Sequence, residues 1–284
     1  MPELPEVETI VRDLATRLNG RTLRNPRLFK FNGLREVSAR RLLGALRDTT
    51  VQEVYRRAKH AVFLLDSGLR MVIQPRMTGV LMISTGKPTV DERRYRVLKA
   101  DIGDDVRFVY RDVRRLGTIW LLDEMAWRTY TGRIGPEPLD ATFDDCQFAA
   151  QLAGTRVAIK KALMDQRRIA GVGNIYANEA LFRAGIDPSR RTDKVGREAL
   201  SRLLKETRTI LQEAIEAKGT TLKDYRTGTG DTGSFQGVLQ AYGRGGLPCV
   251  VCGTTLATTH AIDGRATTFC YRCQTSHRCE TSHR

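Results

Sequence analysis

Four of the six cysteines fall as Cys249-x2-Cys252 and Cys270-x2-Cys273, with 17 residues between the pairs. This spacing constrains the C-terminal end more than any other feature, because two facing Cys-x2-Cys turns make a four-thiolate zinc site. Four thiolates complete a tetrahedral metal. One zinc ion is therefore expected, stapling a hairpin too small to build its own core and leaving no open position for an activated water. Cys146 and Cys279 stand apart from this set.

The rest of the chain must supply the chemistry, and its charge narrows the partner. Lys and Arg number 47 against 32 Asp and Glu, a net charge of +15 spread along all 284 residues. Basicity distributed in this way belongs to folded surfaces, and it points to a polyanion, with nucleic acid ahead of a membrane. A hydrophobic content of 41% is globular, and the length suits two domains with real cores. The sequence has no apolar run long enough to span a bilayer and no charged-then-apolar leader, so a cytosolic protein is expected; with a nucleic-acid partner it is expected to be nucleoid-associated, and to act as a monomer. Cysteines in that compartment favour metal binding over disulfides.

Periodicity divides the chain. Val7, Val11, Leu14 and Leu18 share one helical face, and Asn19-Gly20 ends that helix. Residues 21 to about 125 read mainly as strands, among them 50–55, 61–65, 69–73, 95–102 and 106–110. They are joined by turn clusters such as Asp66-Ser67-Gly68, with one short helix over 38–46. An antiparallel β-sandwich is expected over 1–131, followed by an interdomain linker over 132–141, where Gly135-Pro136-Glu137-Pro138 breaks every period. Beyond it the pattern is helical over 143–153, 156–164 and 174–184, with a long helix ending near Lys218-Gly219. The fold class is thus α+β in two domains, with a helical region over 142–237 that includes a Gly- and Thr-rich loop at 219–237. The zinc hairpin covers 238–274, and a disordered tail over 275–284 contains a doubled Thr-Ser-His-Arg.

Three further stretches can carry chemistry. With Met1 removed, Pro2 presents a secondary amine followed by the carboxylates of Glu3, Glu6 and Glu8. An α-amine titrates at about 7.7 to 8.0, so part of it is nucleophilic near neutrality and can form an iminium with a sugar carbon. The same residues also fit an ordinary chain end with acids at a helix start. Gly171-Val172-Gly173-Asn174 opens a helix in the manner of a phosphate site, though an asparagine cap without a ligand fits equally. Between Arg156 and Arg191, basic residues outnumber acidic ones by eight to three, which suits a duplex-backbone clamp. Met77 beside Arg76, and Leu116 behind Arg114-Arg115, are apolar residues next to cations in turns. They suit wedges entering a base stack as well as they suit core positions.

From Pro2 to about Gln274 these pieces resemble the bacterial formamidopyrimidine-DNA glycosylases. The resemblance rests on Pro2-Glu3-Leu4-Pro5-Glu6, Arg57-Ala58-Lys59, Gly135-Pro136-Glu137-Pro138-Leu139, Gly171-Val172-Gly173-Asn174-Ile175-Tyr176, Gly219-Thr220-Thr221-Leu222 and Tyr242-Gly243-Arg244, followed by the four cysteines. It implies an N-terminal β-sandwich, a helix-two-turn-helix and a zinc hairpin. The implied activity is excision of oxidised purines from damaged double-stranded DNA and cleavage of the abasic strand by β,δ-elimination. By the same resemblance Pro2 is the nucleophile and Glu3 moves protons, while Lys59, Asn174 and Arg265 hold phosphates and Tyr242 adds a backbone contact. Glu6 and Lys160 lie near the extruded base. Met77, Arg114 and Leu116 fill the gap it leaves, and the 219–237 loop closes over the lesion.

The chain departs from the family pattern at Gln74, usually His, and at Leu116, usually Phe. Both bear on recognition and not on the chemistry. Two alternatives stay open: an endonuclease VIII type for oxidised pyrimidines, disfavoured by Leu4 and by the long loop, and a zinc-hairpin DNA-binding protein without catalysis.

Overall fold

The computed structural model describes residues 2–220, 228 and 233–275. The expected tail lies outside these residues except for Thr275, as does most of the expected 219–237 loop. Two compact units emerge: Met1–Arg133 with Ala214–Gln236, and Ile134–Glu213 with Gly237–Arg284.

In the first unit, α1 (Leu4–Leu18) starts in a capping box between Glu3 and Glu6, with proline in its first turn. The chain continues through β1 (Thr22–Leu28), β2 (Leu34–Arg35), α2 (Ala39–Leu46), β3 (Thr49–Arg57), β4 (His60–Leu65), β5 (Arg70–Gln74) and β6 (Gly79–Thr85). It then forms α3 (Val90–Tyr95), β7 (Arg96–Gly103), β8 (Val106–Asp112), β9 (Thr118–Leu122) and α4 (Glu124–Thr131). The strands pair in the order β2-β9-β5-β4-β3-β1-β7-β8-β6, antiparallel except for β2 with β9.

In that order Phe63 of β4 and Phe108 of β8 are four strand spacings apart, which in a flat sheet is roughly 19 Å. Their ring centroids are 5.3 Å apart. The sheet therefore folds back at the β1–β3 pair into two layers, as an antiparallel sandwich requires. The fold-over coincides with a register shift in β1 between Arg24 and Arg27, where Asn25 has a φ of 47° and Pro26 has no N–H to donate. The inner faces meet the apolar stripe of α1 in one core, with Val7, Ile10, Leu14, Phe63, Leu81 and Tyr110 all buried.

The two helices α3 and α4 were not among the sequence expectations, which took 21–125 mainly as strand. Each begins at a side-chain cap, Thr89 accepting from Glu92 N–H and Asp123 from Ala126 N–H. Glu92 carries a second duty: its buried carboxylate pairs with Arg107 at 2.9 Å.

The second unit contains α5 (Asp145–Leu152), α6 (Ile159–Met164), α7 (Asn174–Arg183) and α8 (Arg197–Glu216), whose last turn enters the first unit, followed by the hairpin β10 (Ala257–Thr259) and β11 (Thr267–Phe269). Much of the expected linker is structured here. Gly135 N–H donates to the Gln166 carbonyl at 2.8 Å, and the Pro136 carbonyl accepts from Ala170 N–H at 2.9 Å. Only glycine fits at 135, because a Cβ would lie 2.4 Å from the Arg168 carbonyl oxygen.

Candidate functional site

At the head of α1, Pro2, Glu3 and Glu6 are buried. Glu6 divides its oxygens: Oε2 accepts from Glu3 N–H and Oε1 from Thr220 N–H, both at 2.8 Å. A buried carboxylate needs such donors, and they fix the backbone around Glu3. One turn on, Glu8 accepts from Arg12 Nε at 2.7 Å and Arg56 Nε at 2.8 Å, and Arg56 also donates to the Ala58 carbonyl at 3.1 Å. Ala58 takes a left-handed φ of 52° in the tight turn between β3 and β4. The chain Glu8–Arg56–Ala58 thus ties that turn, and Lys59 with it, to α1. Burial raises the Glu8 pKa, but the charges and hydrogen bonds of Arg56 and Arg12 outweigh it and hold the carboxyl below its ordinary range.

The other expected residues of this unit lie on two turns that pass side by side between the layers. Met77 sits between β5 and β6, and Arg114 and Leu116 between β8 and β9. Met77 and Leu116 are 46% and 42% exposed, so these apolar side chains are not core. Arg114 is also exposed, with a guanidinium nitrogen 3.5 Å from the Met77 sulfur. Gln74 closes β5 opposite Thr118.

In the second unit, the sulfurs of Cys249, Cys252, Cys270 and Cys273 all lie within 4.8 Å of one another. Cys249 and Cys273 are 3.9 Å apart, and Cys252 and Cys270 are 3.5 Å apart. A tetrahedral zinc with bonds of about 2.3 Å places its sulfurs roughly 3.8 Å apart, so the donor set and its spacing fit one structural zinc.

The hairpin between the two cysteine pairs is bound to α6 and α7. Lys160, expected near an extruded base, has a fully buried side chain. Its ammonium donates to Thr267 Oγ1 at 2.7 Å and lies 3.5 Å from Asp263 Oδ1. The same Asp263 oxygen accepts from Arg265 N–H at 3.1 Å, so Lys160 shapes the turn that carries the exposed Arg265. Asn174 is likewise turned to the hairpin, donating to the Ala266 carbonyl at 3.1 Å. The N-cap of α7 is Gly173, not Asn174.

Sequence reasoning missed three supporting residues. Gln166 accepts from Gly171 N–H and donates to the Val172 and Met164 carbonyls, bracing the glycine turn. Glu179, fully buried, accepts from the N–H groups of Gln240, Ala241 and Tyr242 at 2.9, 2.9 and 2.7 Å. Asp112, fully buried between the two exposed turns, is the third. Each looks ordinary in the sequence, because it has partners 5 to 63 residues away that no local pattern marks.

A sandwich with a buried acidic helix start and, in the same chain, a helical unit with a four-thiolate hairpin describe a narrow class of DNA-acting proteins. Family models match this chain over residues 1–119 (formamidopyrimidine-DNA glycosylase N-terminal domain), 134–226 (formamidopyrimidine-DNA glycosylase H2TH domain) and 246–275 (zinc finger found in FPG and IleRS). The formamidopyrimidine-DNA glycosylase of Thermomicrobium roseum is 43% identical, with 98% of this chain and 100% of that protein covered. That of Bacillus subtilis is 36% identical, with 97% and 99% covered. A crystal structure of a Lactococcus lactis FPG mutant with Fapy-dG containing DNA superposes with a TM-score of 0.89 at 31% identity, covering 96% of this chain and 100% of that one. A complex of the same organism's enzyme with abasic-site DNA gives 0.88 at 31%, with 96% and 99% covered. The chain belongs to the formamidopyrimidine-DNA glycosylase family.

Proposed function

We propose that this protein is a bifunctional DNA glycosylase and AP lyase of base-excision repair, removing oxidised purines from duplex DNA and cutting the abasic strand. What supports the reading is an end-to-end family match on a chain that keeps Pro2-Glu3 at the head of α1. The solved complexes of the Lactococcus lactis enzyme contain Fapy-dG and abasic DNA, the substrate and the intermediate that such a reaction joins.

A base within a stacked duplex hides its C1′ carbon, so the nucleotide must be extruded first. With Met1 removed, the Pro2 nitrogen attacks C1′ while the glycosidic bond breaks, and the base leaves with the bonding pair and takes up a proton. Loss of the amine proton and opening of the C1′–O4′ bond, with O4′ taking up a proton, leave a C1′ iminium that acidifies the C2′ hydrogen. Glu3 takes that proton as the 3′ phosphate is expelled, and loss of the C4′ proton then expels the 5′ phosphate. Lys59 and Arg265 hold phosphates as cations and Asn174 as an amide, while Tyr242 adds a contact to the DNA backbone. Glu6 lies near the extruded base, and Met77, Arg114 and Leu116 occupy the gap it leaves. Lys160 also lies near the extruded base, where it shapes the hairpin turn. Residues 1–131 supply the chemistry, 142–237 hold the backbone, 238–274 form the zinc hairpin, and a monomer acting on the nucleoid suffices. Among the described residues no helix is long and apolar enough to cross a membrane.

The deciding experiment incubates the protein with abasic-site duplex and borohydride. Intact mass is expected to show a covalent adduct on a chain lacking Met1. A folded protein lacking Met1 that gives no adduct sinks the enzymatic reading. Faster cleavage of thymine glycol than of 8-oxoguanine opposite cytosine would replace the purine assignment with a pyrimidine one.

A further inference from the structure

Asp112 ends β8, and its side chain is fully buried at the base of the two exposed turns. Three donors converge on it. Thr78 Oγ1 donates to Oδ1 at 2.5 Å, while Gly117 N–H at 2.8 Å and the Tyr110 hydroxyl at 3.3 Å donate to Oδ2. Thr78 follows Met77, and Gly117 follows Leu116, so one carboxylate holds the residue next to each exposed apolar side chain. Thr78 Oγ1 also accepts from Arg114 N–H at 3.0 Å. The hydroxyl of one turn is thus inserted between the acid and the backbone of the other.

The strand pairing shows why a single pin can serve both turns. Gln74 pairs with Thr118 in one layer and Gly79 with Asp112 in the other. Both turns therefore cross from layer to layer side by side. Each also carries a strained residue beside its apolar tip, Arg76 at φ 51° and Arg115 at φ 52°. A non-glycine residue persists in the left-handed region only where its surroundings enforce it. Space around the pin is equally constrained, since a Cβ at Gly117 would lie 1.9 Å from the Tyr110 hydroxyl oxygen. Burial and the neighbouring Asp112 charge push the Tyr110 pKa upward, so its hydroxyl stays a donor.

We infer that Asp112 and Thr78 form a latch that sets Met77, Arg114 and Leu116 in one rigid comb, making them positioning residues for base extrusion. The inference rests on the proposed wedge role of those three side chains. Rigidity matters because a wedge must push against stacked bases, and a tip free to swing gives way before the stack opens.

The test monitors extrusion by stopped-flow fluorescence of 2-aminopurine placed next to 8-oxoguanine in a duplex. It compares the wild type with Thr78→Val, Thr78→Ser and the double variant Met77→Ala/Leu116→Ala. Valine keeps the shape and removes the hydroxyl, whereas serine keeps the hydroxyl. Thr78→Val is expected to slow the fluorescence change by about 10-fold, from the loss of two coupled hydrogen bonds. Thr78→Ser is expected to restore it to within about threefold. Borohydride trapping on a single-stranded abasic oligonucleotide needs no extrusion, and Thr78→Val should leave it at the wild-type rate. If the wedge double variant is slow and Thr78→Val is fast, the latch is refuted and the wedges stand. If the wedge double variant is itself fast, the wedge reading fails and the latch falls with it. Slow trapping in Thr78→Val would show general damage to the fold and would also overturn the latch.

Discussion

At the scale of single residues, the side chains nearest the proposed chemistry are held by carboxylates that do none of it. Glu6 fixes the backbone of Glu3, Glu179 fixes that of Tyr242, and Asp263 fixes that of Arg265. In each case a buried or half-buried anion collects N–H groups that would otherwise lack partners, which suits loops that must keep a shape without a strand ladder. Glu179 gives the sharpest test. Its two oxygens accept three backbone donors, and in a glutamine variant one of those donors would face an NH2 group. Glu179→Gln is expected to lose about 1 to 3 kcal/mol of stability, read from denaturant unfolding at saturating zinc. A loss below a few tenths of a kcal/mol would mean that the three amides find other acceptors.

At the scale of elements, α1 is tied to the β3–β4 turn by charge as well as by core packing. Glu8 and Arg56 keep 20% and 10% of their side-chain surface. Glu8 has a lowered pKa in the folded state, so its stabilising effect is full above the unfolded value of about 4.3 and is lost as pH falls through the folded value. Glu8→Gln should therefore be less stable than the wild type at pH 7, by a few tenths to about 1 kcal/mol given partial solvent screening. The gap should close as pH falls below about 4. A pH-independent gap, measured by urea unfolding across this range, would assign the effect to packing alone.

Elements also show what the sequence made legible. The strands at 50–55, 61–65 and 106–110 and the α1 stripe announce themselves because a half-buried face imposes its period on the residues. The two helices α3 and α4 do not. Only Glu92 of α3 is buried, and α4 has no fully buried residue, so no apolar stripe marks either one. The proposed catalytic motif at Pro2-Glu3 and the cysteine spacing were visible because their chemistry is local. The Asp112 latch was not, since its meaning depends on Thr78, 34 residues earlier, meeting it across the sandwich.

At the scale of the whole molecule, the +15 net charge must be divided between charges that touch DNA and charges that only attract it. Salt dependence separates them, because each neutralised phosphate contributes about −0.9 to the slope of log affinity against log salt, whereas the shape of a turn contributes nothing. Two cations, Lys59 and Arg265, are assigned to phosphates here, so abasic-analogue duplex should bind with a slope at least as steep as about −1.8. Arg265 is the better residue to remove. It is exposed, while the turn beneath it is held by Asp263, Lys160 and Thr267, none of which depends on the guanidinium. Arg265→Ala is therefore expected to fold and bind zinc normally, and to make the slope shallower by about 0.9. Affinity should fall most at low salt, where the lost counterion release counts most. Fluorescence anisotropy titrations at four or five salt concentrations measure both quantities. A variant with weaker binding and an unchanged slope would move Arg265 from phosphate contact to shaping the hairpin turn, the role now held by Lys160.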